Sequence, residues 1–250
     1  MAEPLLVLSD VRAGYGSAIV LDGVSLEMPA NGSLAVLGRN GVGKSTLLLT
    51  IMGFTDVKRG AIAWRGRDIT RSSVVARMKL GMAYMPADRA HTALVTSMTI
   101  GDNLMLRDTG RAPYGRGPLL TRASGTSKAR ELMADYDIRA RDPKVIAARL
   151  SGGNQQKIVI ARELDRSPAV LIAHQAAWGL DPGATRFVLE RVMALRDGGA
   201  AVIYISSELE EVLAVSDRVA VIANGGFAGI VARAEVDLRQ IGLWMAGSVA

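Results

Sequence analysis

The sequence predicts an α/β fold in which a parallel sheet carries helices on its faces, and three observations predict it. Short apolar runs alternate with longer helical patterns from residue 153 to 205, the order that builds parallel sheets. Upstream, the strand-like run Ser33–Leu37 passes through a glycine-rich turn straight into a helical pattern. Of the 250 residues, 49% are apolar but only 4% aromatic, and 27 glycines accompany 8 prolines. That mixture suits a globular α/β protein better than a disordered chain or a β-sandwich.

Leu5–Leu8 and Ile19–Met28 are apolar runs broken by glycine-rich turns and read as strands of a small antiparallel region at the N-terminus. Ser33–Leu37 is a short buried-type strand. Lys44–Met52 reads as a helix that Gly53 ends. Ala61–Trp64 and Gly81–Met85 are further strands. From about residue 87 to 150 the texture changes: helical patterns at Thr99–Leu106 and Ser127–Tyr136 alternate with loops, notably Gly110–Gly117. This stretch predicts a helical subdomain inserted into the sheet domain. Helix Asn154–Leu164, strand Ala169–Ala173, helix Ala184–Arg196 and strand Ala200–Ile205 follow, so one domain over residues 1–250 is expected, with no internal repeat.

Composition excludes several chemistries. With no cysteine there is no disulfide, thiolate metal site or cysteine nucleophile, and the two histidines, His91 and His174, lie far apart. The longest apolar stretches are about a dozen residues against the ~20 that span a bilayer. Met1-Ala2-Glu3-Pro4 lacks a basic leader, so a cytoplasmic location is expected. Net charge is +6, with arginine concentrated in the middle third (Arg107, Arg111, Arg116, Arg122, Arg130, Arg139, Arg141, Arg149). No aromatic residues interleave there for base stacking, which favours a solvated helical face over a nucleic-acid surface.

The strongest local signal is Gly38-Arg39-Asn40-Gly41-Val42-Gly43-Lys44-Ser45-Thr46, a match to G-x-x-x-x-G-K-[ST] in the required strand–loop–helix context. A phosphate chain needs many backbone N–H donors at close range. Glycines at 38, 41 and 43 let the loop fold tightly enough to supply them. The helix starting near Lys44 aims its positive end at the phosphates; Lys44 neutralises the β/γ-phosphates and Ser45 ligates Mg²⁺. A second signal is Leu150-Ser151-Gly152-Gly153-Asn154-Gln155-Gln156-Lys157. It offers another helix N-terminus to an anion, although alone it also matches an ordinary N-cap at Ser151.

Taken together, these motifs resemble the nucleotide-binding subunit of ATP-binding-cassette (ABC) transporters. Leu150–Lys157 resembles that family's signature motif in the form found in sugar and nucleoside importers. Gly179-Leu180-Asp181 and Asp217-Arg218-Val219 follow in family order. The resemblance implies a P-loop ATPase fold, ATP and Mg²⁺ as ligands, and attachment to transmembrane permease subunits at the inner face of the cell membrane. It also implies a second cassette, identical or not, arranged head to tail. Tyr15, in Gly14-Tyr15-Gly16, falls where an aromatic ring stacks on adenine. Ser151, Gly152, Gly153 and Gln155 fall where the signature meets the γ-phosphate held by the opposite subunit, and Asp181 falls in the loop that communicates across the dimer. The alternative is a soluble ABC-type protein acting on nucleic acid, a class that usually carries two cassettes or long basic arms in one chain. Direct nucleic-acid binding is not expected.

The chain also departs from the family pattern. The strand Val170–Ala173 should end in Asp-Glu and ends in His174-Gln175. The family's aspartate supports Mg²⁺, a hard cation that prefers oxygen ligands. Its glutamate polarises the attacking water, and an amide cannot accept a proton at working pH. Ser207 stands where a γ-phosphate-sensing histidine usually lies, and Ala87, followed by Asp88-Arg89, where a glutamine usually does. A degenerate site that binds nucleotide but hydrolyses it slowly, with a signature completing a partner's site, is therefore expected. Residues up to about 70 resemble a branched-chain amino-acid importer cassette. From about 81 onward the chain resembles the second cassette of sugar or nucleoside importers.

Overall fold

The computed structural model describes residues 4–109, 112–116, 119–120 and 122–247. Gly110, Arg111 and Gly117 of the expected loop lie outside the described residues. In chain order the first elements are β1 (Leu6–Ala13), β2 (Leu21–Met28), β3 (Ser33–Leu37), α1 (Lys44–Met52), β4 (Val57–Trp64), β5 (Arg67–Asp68), α2 (Val74–Lys79) and β6 (Met82–Met85). A π-helical turn (Arg89–Ala93) leads to α3 (Ile100–Met105), β7 (Gly115–Arg116), β8 (Leu119–Leu120), α4 (Arg122–Asp135) and α5 (Gly152–Leu164). The chain continues with β9 (Val170–His174), α6 (Pro182–Asp197), β10 (Ala201–Ile205), α7 (Leu209–Val215), β11 (Arg218–Ala223), β12 (Gly226–Ala232) and α8 (Leu238–Met245).

The chain divides into two compact units. The first holds the residues up to Tyr84, Pro168–Gln175 and those from Leu189 on. Its antiparallel sheet has the order β2-β1-β4-β5, and a larger sheet has the order β12-β11-β3-β10-β9-β6. Within the larger sheet β9, β10, β3 and β11 run parallel, and β12 closes it antiparallel on β11. β3, β10 and the first four residues of β9 are buried throughout, because strands covered on both faces carry no alternation. Leu34, Val36, Leu47, Leu48, Ile51, Ile172 and Ile203 lie in the same core as the antiparallel sheet's Leu6, Leu8 and Leu26.

The second unit comprises Met85–Ser167 and Ala176–Val188. It contains the helical stretch expected over 87–150 and also the signature helix α5 and the start of α6. Buried charge organises part of it. Arg107 and Arg162 both pair with Glu163, and Arg162 Nη1 donates to Ala93 O at 2.8 Å. Burial pushes both guanidinium groups down to about 10.

Several elements exceed their expected bounds. β1 continues past Leu8 to Ala13, because a bulge with Asp10 in the left-handed region (φ 47°) carries the strand across polar Ser9-Asp10. β4 begins at Val57 rather than Ala61, its exposed Lys58-Arg59-Gly60 concealing the apolar pattern. α4 starts at Arg122, ahead of the expected Ser127. α1 ends as expected, with Gly53 (φ 82°) capping Leu49 and Thr50.

Arg77 sits at the far end of α1 and is 1% exposed. Its Nη1 donates to Thr50 O (2.9 Å) and Ile51 O (2.6 Å), its Nη2 to Ile69 O and Thr70 O (both 2.9 Å), and its Nε to Ser72 O (3.1 Å). The last carbonyls of a helix have no partner within it, and this one guanidinium supplies two of them. Arg77→Met is expected to destabilise the protein by about 3–5 kcal/mol: Thr50 O and Ile69 O keep Gly53 N and Ser72 N, but Ile51 O, Thr70 O and Ser72 O lose their donor, at ~1–3 kcal/mol for each buried acceptor left unpaired. Thermal denaturation checks this: the midpoint should fall by about 10 °C.

Candidate functional site

The loop between β3 and α1 forms a backbone cradle. Gly38 has φ 156°, and a Cβ there would lie 2.5 Å from Ile222 O on β11. Gly43, at φ 111°, is the N-cap of α1 in the left-handed region and has no side-chain cap, so the first N–H groups of the helix are left to the loop. The Lys44 ammonium folds back on the loop, donating to Gly38 O and, at 2.7 Å, to Arg39 O. Burial holds its pKa below the usual lysine range. Ser45, Asn40 and Gly41 are exposed, whereas Thr46 is buried. Glycine-shaped backbone, a helix N-terminus and a lysine fit a phosphate chain.

The turn carrying Tyr15 is next to this cradle. Val20 O and Leu21 Cδ2 lie 3.4 and 3.1 Å from the Cβ position of Gly43. The turn closes through Ala18 N donating to Tyr15 O (2.9 Å), and Lys58 Nζ bonds Gly16 O (2.5 Å) and Ala18 O (3.2 Å) across it. The Tyr15 ring is 53% exposed, open to a planar ligand. Lys58 gave no sequence signal, because its role depends on β4 lying beside that turn.

At the end of β9, His174 pairs with Ile205 of β10, and Gln175 (φ 49°) donates its N–H to Ile205 O at 2.6 Å. Burial, and secondarily the charge of Lys44, hold the His174 pKa below its ordinary value of 6.5. The Lys44 ammonium thus acts on the position where a metal-supporting carboxylate is expected. Mg²⁺ is usually bound through one or two carboxylates besides phosphate oxygens. The strand end offers an imidazole and an amide, and among the described residues no cluster of three or more His, Asp or Glu could hold a metal. These residues fit a phosphate chain but not a carboxylate-held Mg²⁺.

A depressed histidine pKa has a sign. The unfolded chain takes up a proton near pH 6.5 while folded His174 stays neutral, so acidification favours unfolding. This contribution is intact above about pH 6.5 and shrinks as pH falls. Denaturant unfolding from pH 7.5 to 5 should therefore show a smaller stability loss in His174→Gln than in the wild type.

Beyond β10, the exposed Ser207 hydroxyl donates to Glu208 Oε1 at 3.4 Å. Its turn is held by the buried Glu211, whose Oε2 accepts from Tyr204 OH and Ser206 Oγ, both at 2.8 Å, while Ser206 Oγ accepts from Glu208 N. Burial first, and then the Glu211 carboxylate, push the Tyr204 phenol well up.

In the helical unit, Ser151 caps α5: its Oγ accepts from Asn154 N (3.4 Å) and Asn154 Nδ2 (3.0 Å). Gln155 Nε2 donates to Ala147 O at 3.1 Å, so this amide ties the preceding 3-10 turn to the helix. Asp181 Oδ1 accepts from Ala184 N (2.9 Å) at the start of α6, the bond that chiefly holds its carboxyl below the usual range. Gly153 faces this second turn, its Cβ position 3.3 Å from Ala184 Cβ and 3.7 Å from Asp181 Oδ2. Sequence reasoning noted Arg89 only for its place after Ala87, yet its guanidinium lies on Gly152.

The family model described as ABC transporter matches residues 21–176. Among curated proteins, the nucleoside import ATP-binding protein NupA of Lactococcus lactis subsp. cremoris (strain MG1363) is 38% identical over 95% of this chain and 47% of its own length. The guanosine import ATP-binding protein NupO of Bacillus subtilis (strain 168) is 38% identical over 90% of this chain and 44% of its own. The chain thus spans about half the length of these relatives. A crystal structure of a nucleotide-free ATP-binding cassette from an ABC transporter superposes with a TM-score of 0.78 at 24% identity, covering 92% of this chain and 91% of that one. No helix among the described residues is long and apolar enough to cross a membrane. With the P-loop ABC cassette fold in place and the family match extending over most of its length, this chain belongs to the ABC transporter family.

Proposed function

We propose that this chain is the nucleotide-binding cassette of an importer for nucleosides or related sugars, with a site that holds ATP and hydrolyses it poorly and a signature that completes a partner's site. The observation that carries it is the contrast within one chain. The phosphate cradle around Lys44 and the Ser151-capped α5 are formed, while the end of β9 presents His174 and Gln175 in place of carboxylates. The names of the relatives support the substrate class. Because those relatives are about twice as long, a second cassette and transmembrane permease subunits, with this chain at the inner membrane face, belong to the same proposal.

ATP would supply binding energy that holds two cassettes together head to tail. On this chain, Gly38, Asn40, Gly41 and Gly43 shape the cradle. Lys44 would turn from Gly38 O and Arg39 O to the β/γ-phosphates with Thr46 packed beneath, Ser45 would offer its hydroxyl as an oxygen ligand were Mg²⁺ to accompany the nucleotide, and Tyr15 would stack on adenine. Ser151, Gly152 and Gly153 direct the positive end of α5 at the partner's nucleotide. Gln155 ties that end of α5 to Ala147 O, and Asp181 caps the start of α6 opposite Gly153. Gln175 orients water without taking its proton.

Titration calorimetry of the purified chain with ATP tests the first step. Lys44→Ala should weaken binding by about 10- to 100-fold, the worth of one charge-assisted hydrogen bond. Equal affinity in both proteins would overturn the assignment.

A further inference from the structure

Arg89 opens the π-helical turn Arg89–Ala93, and two fixed points determine where its side chain lies. At the near end, Asp88 Oδ1 accepts from Ala90 N (3.1 Å) and His91 N (3.0 Å). The turn closes with Ala93 N bonding Asp88 O (3.3 Å) and Leu94 N bonding Arg89 O (2.9 Å). At the far end, Ala93 O accepts from Arg162 Nη1, a residue of α5 itself. The turn is therefore fastened to the signature helix.

From that mount the guanidinium reaches two segments distant in sequence. Nη1 donates to Trp178 O at 3.0 Å. Nη2 lies 2.6 Å from the Cβ position of Gly152, with Cζ at 3.4 Å and Nε at 3.6 Å, so the Nη2 edge of the guanidinium comes up against the first residue of α5. The same two segments meet again where Gly153 faces Asp181 and Ala184. All these residues belong to the helical unit. Among the described residues Arg89 has no carboxylate within ion-pair distance, so this carbonyl and this glycine account for its placement.

We propose that Arg89 is a positioning residue that locks the Ser151–Gly153 turn to the Trp178–Asp181 turn, so that both are presented to the partner cassette as one surface. This rests on the reading that the signature completes a partner's site. A fork with two terminal nitrogens reaches both segments at once, Nη1 to Trp178 O and Nη2 to Gly152; a lysine reaches Trp178 O with a point charge but has no second nitrogen for Gly152.

The test has two arms. In the isolated chain, amide hydrogen exchange of the peptides containing 151–156 and 178–184 is compared for the wild type, Arg89→Met and Arg89→Lys. Arg89→Met should exchange about tenfold faster in both peptides, the loss expected for one charge-assisted hydrogen bond. ATP affinity should stay unchanged and the thermal midpoint should fall by no more than a few degrees, and Arg89→Lys should recover the 178–184 peptide more than the 151–156 peptide. Unchanged exchange, acceleration in one peptide alone, or acceleration throughout the chain would overturn the inference. In the second arm the chain is assembled with its partner cassette and permease, and Arg89→Met should lower kcat by about 10- to 100-fold with little change in KM for ATP. Faster exchange in both peptides with unaltered turnover would leave the positioning role standing and overturn the assignment of the signature to a partner's site.

Discussion

In an assembly with a cassette that keeps its strand-end carboxylates, Ser151→Arg is expected to lower ATP turnover by about 10²–10³-fold, the usual cost of removing a group that stabilises developing charge. Lys44→Ala should leave most of that turnover in place. In the proposed head-to-tail pairing two unequal sites would form: one would join this chain's cradle to the partner's signature, the other the partner's cradle to Ser151-Gly152-Gly153. Ser151 caps α5 and its hydroxyl stands at the positive end of that helix. An arginine there removes the cap and fills the space that the γ-phosphate is to occupy. Lys44 serves the cradle whose strand end lacks carboxylates, so its loss should reduce nucleotide retention by this chain more than hydrolysis by its partner. Co-purification with the partner cassette followed by phosphate-release assays separates the two. Turnover abolished by Lys44→Ala and kept in Ser151→Arg would reverse the assignment, and a pair of identical chains should show little turnover in any variant.

The second large effect is a gain. The isolated chain should hydrolyse ATP far below the ~10 s⁻¹ of ordinary enzymes. The paired substitution His174→Asp with Gln175→Glu should raise the rate, because a general base contributes about 10²–10⁴-fold. The aspartate would stand beside the Lys44 field that now disfavours a charged histidine, where a negative charge is stabilised. The increase should fall short of the full range, since Ser207 and Ala87 still depart from the family pattern. Steady-state phosphate release at saturating ATP measures it, and a wild-type rate near ordinary enzymes would show that Gln175 and His174 work by another route.

Much of this was legible in the sequence, for identifiable reasons. β3, β9 and β10 are uniformly apolar and short, so their burial could be read directly, and Gly53 marked the end of α1. The glycine spacing of residues 38–43 announced a cradle because few other residues tolerate φ near 111°. What escaped was tertiary in origin. Strands β11 and β12 were not read, although β11 completes the parallel set beside β3. Lys58, Arg77 and Arg89 are ordinary surface-type residues by composition. Each acquires a role only when a distant backbone carbonyl is brought to it: Gly16, Thr50 and Trp178 respectively. The change of texture marked residues 87–150, whereas the second compact unit is Met85–Ser167 with Ala176–Val188, and neither α5 nor the 176–188 stretch carries that texture.

Seen as a machine part, α1 is a strut pinned at its rear. Arg77 rivets the last carbonyls of that helix to Ile69, Thr70 and Ser72 in the segment that follows β5. A pull applied to the phosphate end therefore cannot be absorbed by the helix sliding along its own axis. Any displacement of α1 must carry residues 69–72 with it or break the five hydrogen bonds that Arg77 makes.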